Sequence, residues 1–365
     1  MISLHNASNS KTWIRNSKTW LIGVLLVAGL LVPILIQDSY LRHLFIISFV
    51  YGIVAASWDL SLGYAGIFNF AHVAFFGVGV YATGLTAKLL GIDPWVAMLF
   101  GGFAASAAAA IVALPVVRLQ GVYVVLVTFA FSQLVMQLVI NQSNLTGGTQ
   151  GMVRVPTISL PGYNFLRDHK LGYYYVAFAL LVTTTICLRW LVRSDFGLSI
   201  RALRDNDDYA VSRGIPIAWQ RLKALVASAF FTGLAGGFYV IYLRVASPEV
   251  FDFSTVSLIL SMVLLGGTSS IYGPLFAALF LTFISEGLAS INNFAECRFM
   301  LVALAMIVVL LFFPKGLASA VPASIARNAN QKRSRQPLTS SKDEALMTST
   351  EKENEAGDAS PSGVH

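Results

Sequence analysis

The chain has 365 residues, 56% of them hydrophobic and only 12% charged, with a mean hydropathy of +0.69. Soluble domains carry about twice that charged fraction, so a soluble fold is excluded and a polytopic membrane protein is indicated. The net charge of +7 calls for no nucleic acid, because Lys and Arg gathered on cytoplasmic loops produce a basic total by themselves, and two distant cysteines, Cys187 and Cys297, give no disulfide framework or metal site.

Residues 1–19 are polar and carry Lys11, Arg15 and Lys18, and they precede the apolar run "WLIGVLLVAGLLVPILI". That pairing imitates a secretory leader, but "QDSYLRH" follows without a small-residue cleavage site. The run therefore reads as a first transmembrane helix with its N-terminus inside. Crossing a bilayer takes about 20 apolar residues. Apolar stretches of suitable length stand near 20–36, 44–62, 70–90, 95–117, 119–140, 173–192, 222–243, 255–268, 272–291 and 297–313. Ten spans place both termini in the cytoplasm. The basic residues agree: Arg118 follows the fourth span, Arg193, Arg201, Arg204, Arg213 and Arg221 follow the sixth, and Lys315 follows the tenth.

Two stretches in opposite halves are rich in glycine where apolar helix is expected. One is "DLSLGYAGIFNFAHVAFFGVGVYATG" at 59–84, and the other is "MVLLGGTSSIYGPLFAALF" at 262–280. Irregular backbone at membrane depth is tolerated only inside protein or against water, and paired interruptions in two halves of a transporter mark its translocation path. The same glycines also suit close helix packing or turns between spans. The expected path residues are Gly63, Gly66, Asn69, His72, Phe75, Gly77, Gly79 and Tyr81 in the first stretch and Gly266, Gly267, Gly273 and Pro274 in the second.

The loop 193–221 nearly cancels its own charge, setting Arg201, Arg204, Arg213 and Arg221 against Asp195, Asp205, Asp207 and Asp208. Loops that bind lipid are strongly net positive, so this one reads as a docking element for a soluble protein. It carries helix grammar: Asn206 as an N-cap, Asp207 and Asp208 in a first turn, Arg213 in a last turn, then Gly214 and Pro216. Leu198, Leu203, Ala210 and Val211 supply an apolar face for it. Beyond residue 317 the chain turns polar, mixed in charge and poor in aromatics, as a disordered cytoplasmic tail does.

Chemistry inside the spans is sparse. Asp59 lies near an inner helix end, Glu286 near an outer one, and Lys88 can snorkel. His72 reads either as a packing histidine or as a pathway residue. No catalytic constellation, metal-ligand spacing or phosphate-binding loop occurs, so the chain is not an enzyme, holds no cofactor, and must take power for uphill transport from a partner.

Several stretches together carry a resemblance. They are "LGYAGIFNFAHVAFFGVGVY" at 62–81, "VRLQGVYVVLVTFAF" at 117–131, "LTGGTQGM" at 145–152 and "SDFGLSIRALRDNDDYAVSRGI" at 194–215, followed by "KALVASAFFTGLAGGFY" at 223–239, "SPEVFDFSTVSLILSMVLLGGTSSIYGPLFAALF" at 247–280 and "LFFPKGL" at 311–317. The chain resembles, from about residue 40 to 317, the permease subunits of branched-chain amino acid ABC importers, of the kind that pairs with a second permease. The resemblance implies an all-α permease domain over 20–317 in the inner membrane of a bacterium. It also implies a second homologous permease, two ATP-binding subunits that hold ATP and Mg2+, and a periplasmic binding protein. Phe196, Gly197, Arg201, Ala202, Arg204, Asp205, Asn206 and Gly214 become candidates for coupling to the ATPases, and Thr146, Gly147 and Gly148 for the outer loop. Departures from the family's pattern are Leu198 where Arg is common, Asn69 for Ser and Val80 for Ala. Related permeases carry urea or short amides, so the cargo is less fixed than the machinery, and an ion-coupled carrier or passive channel is the competing reading.

Overall fold

The computed structural model describes residues 29–33, 38–158 and 170–289, with side chains through residue 285. The first and tenth expected spans (apart from a helical turn at 29–33), Lys315, Cys297, the side chain of Glu286 and the tail 318–365 lie outside the described residues.

Eight helices match the remaining expected spans. Helix α1, Ser39–Asp59, starts where the Asp38 carboxylate accepts from the Tyr40 N–H, and it runs directly into a π-helical turn, Leu60–Tyr64. Then come α2, Ala71–Leu89; α3, Pro94–Val116; α4, Val122–Asn141; and α5, Leu171–Arg193. Two short helices, α6 (Asp195–Asp205) and α7 (Asp207–Ser212), precede the long α8, Ile217–Leu243. Helices α9, Phe253–Gly266, and α10, Tyr272–Ala289, close the described part. A two-residue antiparallel ladder pairs β1 (Met152–Val153) with β2 (Val245–Ala246). The fold among the described residues is therefore helical, as expected.

Five of these segments are long and apolar enough to cross a membrane: Ser39–Tyr64, Pro94–Val116, Val122–Asn141, Leu171–Arg193 and Ile217–Leu243. Helix α2 is long enough, but its Gly, Thr, His and Lys residues lower its hydropathy, and almost all of it is covered by its neighbours. Helices α4 and α5 have the opposite character, since most of their side chains face outward and are apolar. An all-round apolar helix with one covered edge is what a lipid-facing span looks like.

Helix α8 begins at Ile217, inside the stretch expected to be loop up to 221. The cause is Pro216, whose fixed φ ends the preceding turn and opens the helix at the next residue. Helix directions alternate, which gathers the connections 65–70, 194–216 and 267–271 at one end of the bundle. The connections around β1 and β2 meet at the other end, where Lys88 donates to the Val153 carbonyl at 3.0 Å. Arg193, Arg201, Arg204, Arg213 and Arg221 all belong to the first end.

Small residues set the centre. Helices α2, α3 and α8 cross where Gly79 lies on the backbone of Gly233, and Gly233 lies on Ala105 and Gly102. A methyl group at Gly79 would stand 2.6 Å from the Gly233 Cα, closer than side chains pack. Backbones approach this closely only when both faces lack a Cβ, which is how membrane helices gain dispersion contact without a hydrophobic driving force. Among the described residues the buried apolar side chains form two clusters. One fills the middle and the β1–β2 end, and the other surrounds Leu60, Tyr64, Ala71, Val192, Ile200 and Ile271 at the basic end.

Candidate functional site

The two glycine-rich stretches read either as breaks within spans or as turns between them, and each joins two helices: the first runs from the end of α1 through the π turn and residues 65–70 into α2, and the second links α9 to α10 through residues 267–271. A glycine turns the chain out of one helix before the next begins, since Gly66 and Gly267 adopt φ values of +70° and +90°. The first junction is nevertheless recessed in the bundle. The Phe70 N–H donates to Thr128 Oγ1 at 3.0 Å, and Ser132 Oγ donates to the Phe70 carbonyl at 3.1 Å. Those two partners lie roughly 9 and 15 Å along α4 from its start, at about 1.5 Å per residue.

Most polar groups inside this recess satisfy one another. Trp58 Nε1 donates to the Asn69 carbonyl at 3.0 Å. The Asn69 amide donates to Ile67 O and Ser61 Oγ, and its Oδ1 stands 2.9 Å from His72 Nδ1. The His72 ring stacks on Trp58 with 5.3 Å between centroids, and its Nε2 is buried without a hydrogen-bond partner. These contacts place His72 in a packed polar core. Phe75 lies buried beside it. Further along α2, Gly77 makes room for the Phe251 ring, and Tyr81 stacks on that ring while its hydroxyl donates to the Ala246 carbonyl at 3.2 Å.

The decisive geometry is where the junctions meet. Asp59, the last residue of α1, is fully buried. Its Oδ1 accepts from the Ser269 N–H at 2.9 Å and its Oδ2 from the Ser270 N–H at 3.0 Å. The carboxylate thus satisfies backbone donors just ahead of α10, where a negative charge is favoured. Gly63 has no Cβ at the point where one would strike that carboxylate. Ser269 Oγ donates to the Gly63 carbonyl at 2.7 Å. On the second junction, Gly266 packs flat on Gly273 and Pro274.

The charged loop reaches the same place. Arg204, in the last turn of α6, donates from Nη1 to the Gly63 carbonyl at 2.7 Å and to Ser269 Oγ. Its stem crosses Gly66, and from the solvent side it pairs with Asp205 at 3.0 Å. Arg201 ties α6 to α5, donating to Val192 O at 2.6 Å and to Gly197 O at 3.1 Å with its guanidinium over the Tyr64 ring. Gly197 is buried where a Cβ would overlap the Val192 backbone, and Phe196 and Ala202 are half-buried. Asn206 caps α7 as expected, accepting from the Tyr209 N–H at 2.9 Å, and Gly214 follows the helix at φ +82°. Asp207 pairs with Arg221 at 2.6 Å, closing the hairpin onto α8.

The apolar face divides differently from the expectation. Leu203 and Ala210 are buried with Gly197 and Ile200, whereas Leu198 and Val211 turn outward, 59% and 49% exposed, beside Tyr209 at 58%. The reason is the helix period: Leu198 and Leu203 are five residues apart and fall on different faces of α6. At the opposite end, Thr146 Oγ1 donates to Val139 O at 2.6 Å, and Gly147 and Gly148 make left-handed turns that return the chain toward β1. Among the described residues, no three His, Cys, Asp or Glu side chains gather as metal ligands.

The model of the family described as "Branched-chain amino acid transport system / permease component" matches residues 40–311. The chain belongs to that family. It is 27% identical to the high-affinity branched-chain amino acid transport system permease protein LivM of Escherichia coli, over 74% of this chain and 68% of that protein. It is 24% identical to the probable branched-chain amino acid transport permease protein LivM of Methanocaldococcus jannaschii, over 53% of this chain and 65% of that one. A 27% identity over 40% of this chain and 42% of the other links it to the fructose import permease protein FrcC of Rhizobium meliloti. No solved structure matches.

Asp59 and Ser269 were not assembled from the sequence. Asp59 was legible only as an acid at a helix end, and the "TSS" ahead of α10 only as part of a glycine-rich stretch.

Proposed function

We propose that the chain is one permease subunit of an ABC importer that carries branched-chain or related amino acids inward across the bacterial inner membrane. Its end bearing Arg193, Arg201, Arg204, Arg213 and Arg221 faces the cytoplasm, which accords with the preference of Lys and Arg for that side. Two ATP-binding subunits dock on the α6–α7 hairpin and supply the hydrolysis. A second homologous permease completes the path, and a periplasmic binding protein loads it from the end that carries Thr146, Gly147 and Gly148.

The observation that carries this reading is the hairpin. Its charges are largely spent on its own capping and on the bundle, while Leu198, Tyr209 and Val211 stand exposed at its surface. Exposed apolar side chains on a short, charge-balanced helical element suit a groove on a soluble partner. A zwitterionic cargo crossing the bilayer needs its charges met by backbone dipoles and helix ends, and this reading places that passage along the glycine-rich stretches. Within the family, urea and short amides are the alternative cargo.

Uptake by cells with and without the intact chain tests the proposal. Labelled leucine, isoleucine or valine should accumulate only with the chain, should stop on ATP depletion and should survive an ionophore. Accumulation that an ionophore abolishes while ATP remains would make the protein an ion-coupled carrier, and uptake of urea or acetamide alone would reassign the cargo.

A further inference from the structure

One side chain touches both junctions and the hairpin at once. The Arg204 stem lies over Gly66, its guanidinium donates to the Gly63 carbonyl of the first junction, and the same Nη1 donates to Ser269 Oγ of the second. Ser269 is gripped from the other side as well, because its N–H and that of Ser270 are held by the Asp59 carboxylate at the end of α1. Ser269 Oγ in turn donates to Gly63 O. The three segments therefore share one small network, with a buried carboxyl group on its inner side and a partly exposed guanidinium on its outer side.

The network is anchored in a long helix on the α1 side and in a short one on the α6 side. Asp59 ends the 21-residue α1, whereas Arg204 belongs to an eleven-residue helix linked to α5 and α7 through the single residues Ser194 and Asn206. A shift of α6 by a hydrogen-bond length separates Arg204 from both acceptors and leaves Asp59 holding the second junction alone. Small displacements become discrete changes in this way because the bonded and unbonded arrangements are separate states.

We propose that Arg204 is a positioning residue that latches the inner mouth: it pins the Gly63 and Ser269 junctions together while the hairpin is seated, and releases them when the hairpin moves. The inference rests on the reading of the hairpin as the element that the ATPase subunits move. It assigns Arg204 inward to the gate, leaving docking to the outward Leu198, Tyr209 and Val211.

The test uses the transporter purified from its own host membranes through a tag on this chain and reconstituted with its co-purifying subunits, with radiolabelled leucine as probe. Arg204→Ala should keep its ATPase subunits, lose about tenfold in leucine moved per ATP hydrolysed, and hydrolyse ATP without regard to cargo. Arg204→Lys should recover part of the ratio, since an ammonium reaches one acceptor but lacks the planar fork. An unchanged ratio in Arg204→Ala overturns the latch. So does loss of the ATPase subunits, which would make Arg204 a docking contact. The docking reading is scored separately by Leu198→Asp with Val211→Asp, and retention of the ATPase subunits by that pair overturns it whatever Arg204 does.

Should Arg204→Ala fail to accumulate, Arg204→Cys with Ser269→Cys in a background of Cys187→Ser and Cys297→Ser gives a second measurement. A short bifunctional thiosulfonate across the pair should block uptake until reductant is added. Full uptake by the cross-linked complex refutes the latch.

Discussion

Replacing Asp59 with Ala takes the acceptor from two backbone N–H groups, Ser269 and Ser270, at a site the solvent does not reach. Hydrogen bonds to a charged group contribute about 1.5–3 kcal/mol each, and removing one partner of a buried charged cluster costs about 3–5 kcal/mol. The higher end of that range applies, because Gly63 and the chain around Ser269 leave no room for water to replace the carboxylate without moving the junction. For a domain of this size each kcal/mol moves the midpoint by roughly 2–4 °C, so at about 5 kcal/mol Asp59→Ala should unfold about 10–20 °C earlier. Asp59→Asn keeps one carbonyl oxygen and should lose about half as much, its amide facing a donor instead of an acceptor. Asp59→Glu should also destabilise, by about 1–3 kcal/mol, since the added methylene has only the Gly63 backbone to move into. Thermal unfolding of detergent-purified protein, followed by a thiol-reactive dye at the half-buried Cys187, reads all three. Wild-type stability in Asp59→Ala, or an Asn variant no better than Ala, would show that the two N–H bonds do not hold the junction.

Thr128→Val keeps the volume but leaves the Phe70 N–H without its acceptor, and should cost about 1–3 kcal/mol in the same thermal assay. Gly79→Leu forces a branched side chain into the Gly233 backbone and should prevent α2, α3 and α8 from closing, seen as loss of a monodisperse peak on size-exclusion chromatography. Asn206→Ala removes the α7 cap at about 1 kcal/mol, detected as faster amide exchange at residues 207–212 with the global midpoint nearly unchanged.

Periodic and punctuating features were the legible ones. Apolar length placed eight helices close to where they stand, because a bilayer-spanning helix needs no tertiary information to announce itself. The Asn206 to Gly214 helix was legible for a similar reason, since a cap, an acidic first turn and a left-handed stop are all local chemistry. What the sequence could not order was long-range. Asp59 and Ser269 are 210 residues apart, and nothing near either residue names the other. The two-sided use of α6 was hidden too. Its residues alternate between burial and exposure according to which turn meets Val192 and Gly63, and that is fixed by where α1 ends. Hydropathy starts α8 near residue 222, whereas Pro216 sets the boundary at Ile217.

The fate of the embedded charges bears on how the transporter is powered. A carrier driven by protons or sodium needs a buried acid free to trade partners during the cycle. Among the described residues, the only buried acidic side chain is Asp59, and both of its oxygens are already engaged by backbone N–H groups that start a helix. Protonating it would weaken the bond at the protonated oxygen and leave one acceptor for the two backbone donors, so using it as a coupling site would loosen the second junction in every cycle. His72 is stacked on Trp58 and bonded to Asn69, with no acid or base within its shell of contacts to relay a proton. What the basic end offers instead is a mechanical input: a short helical hairpin that shows apolar side chains outward and sends Arg204 inward to two backbone junctions. The proposed function assigns that input to separate ATP-binding subunits, the division of labour in which hydrolysis resides outside the permease.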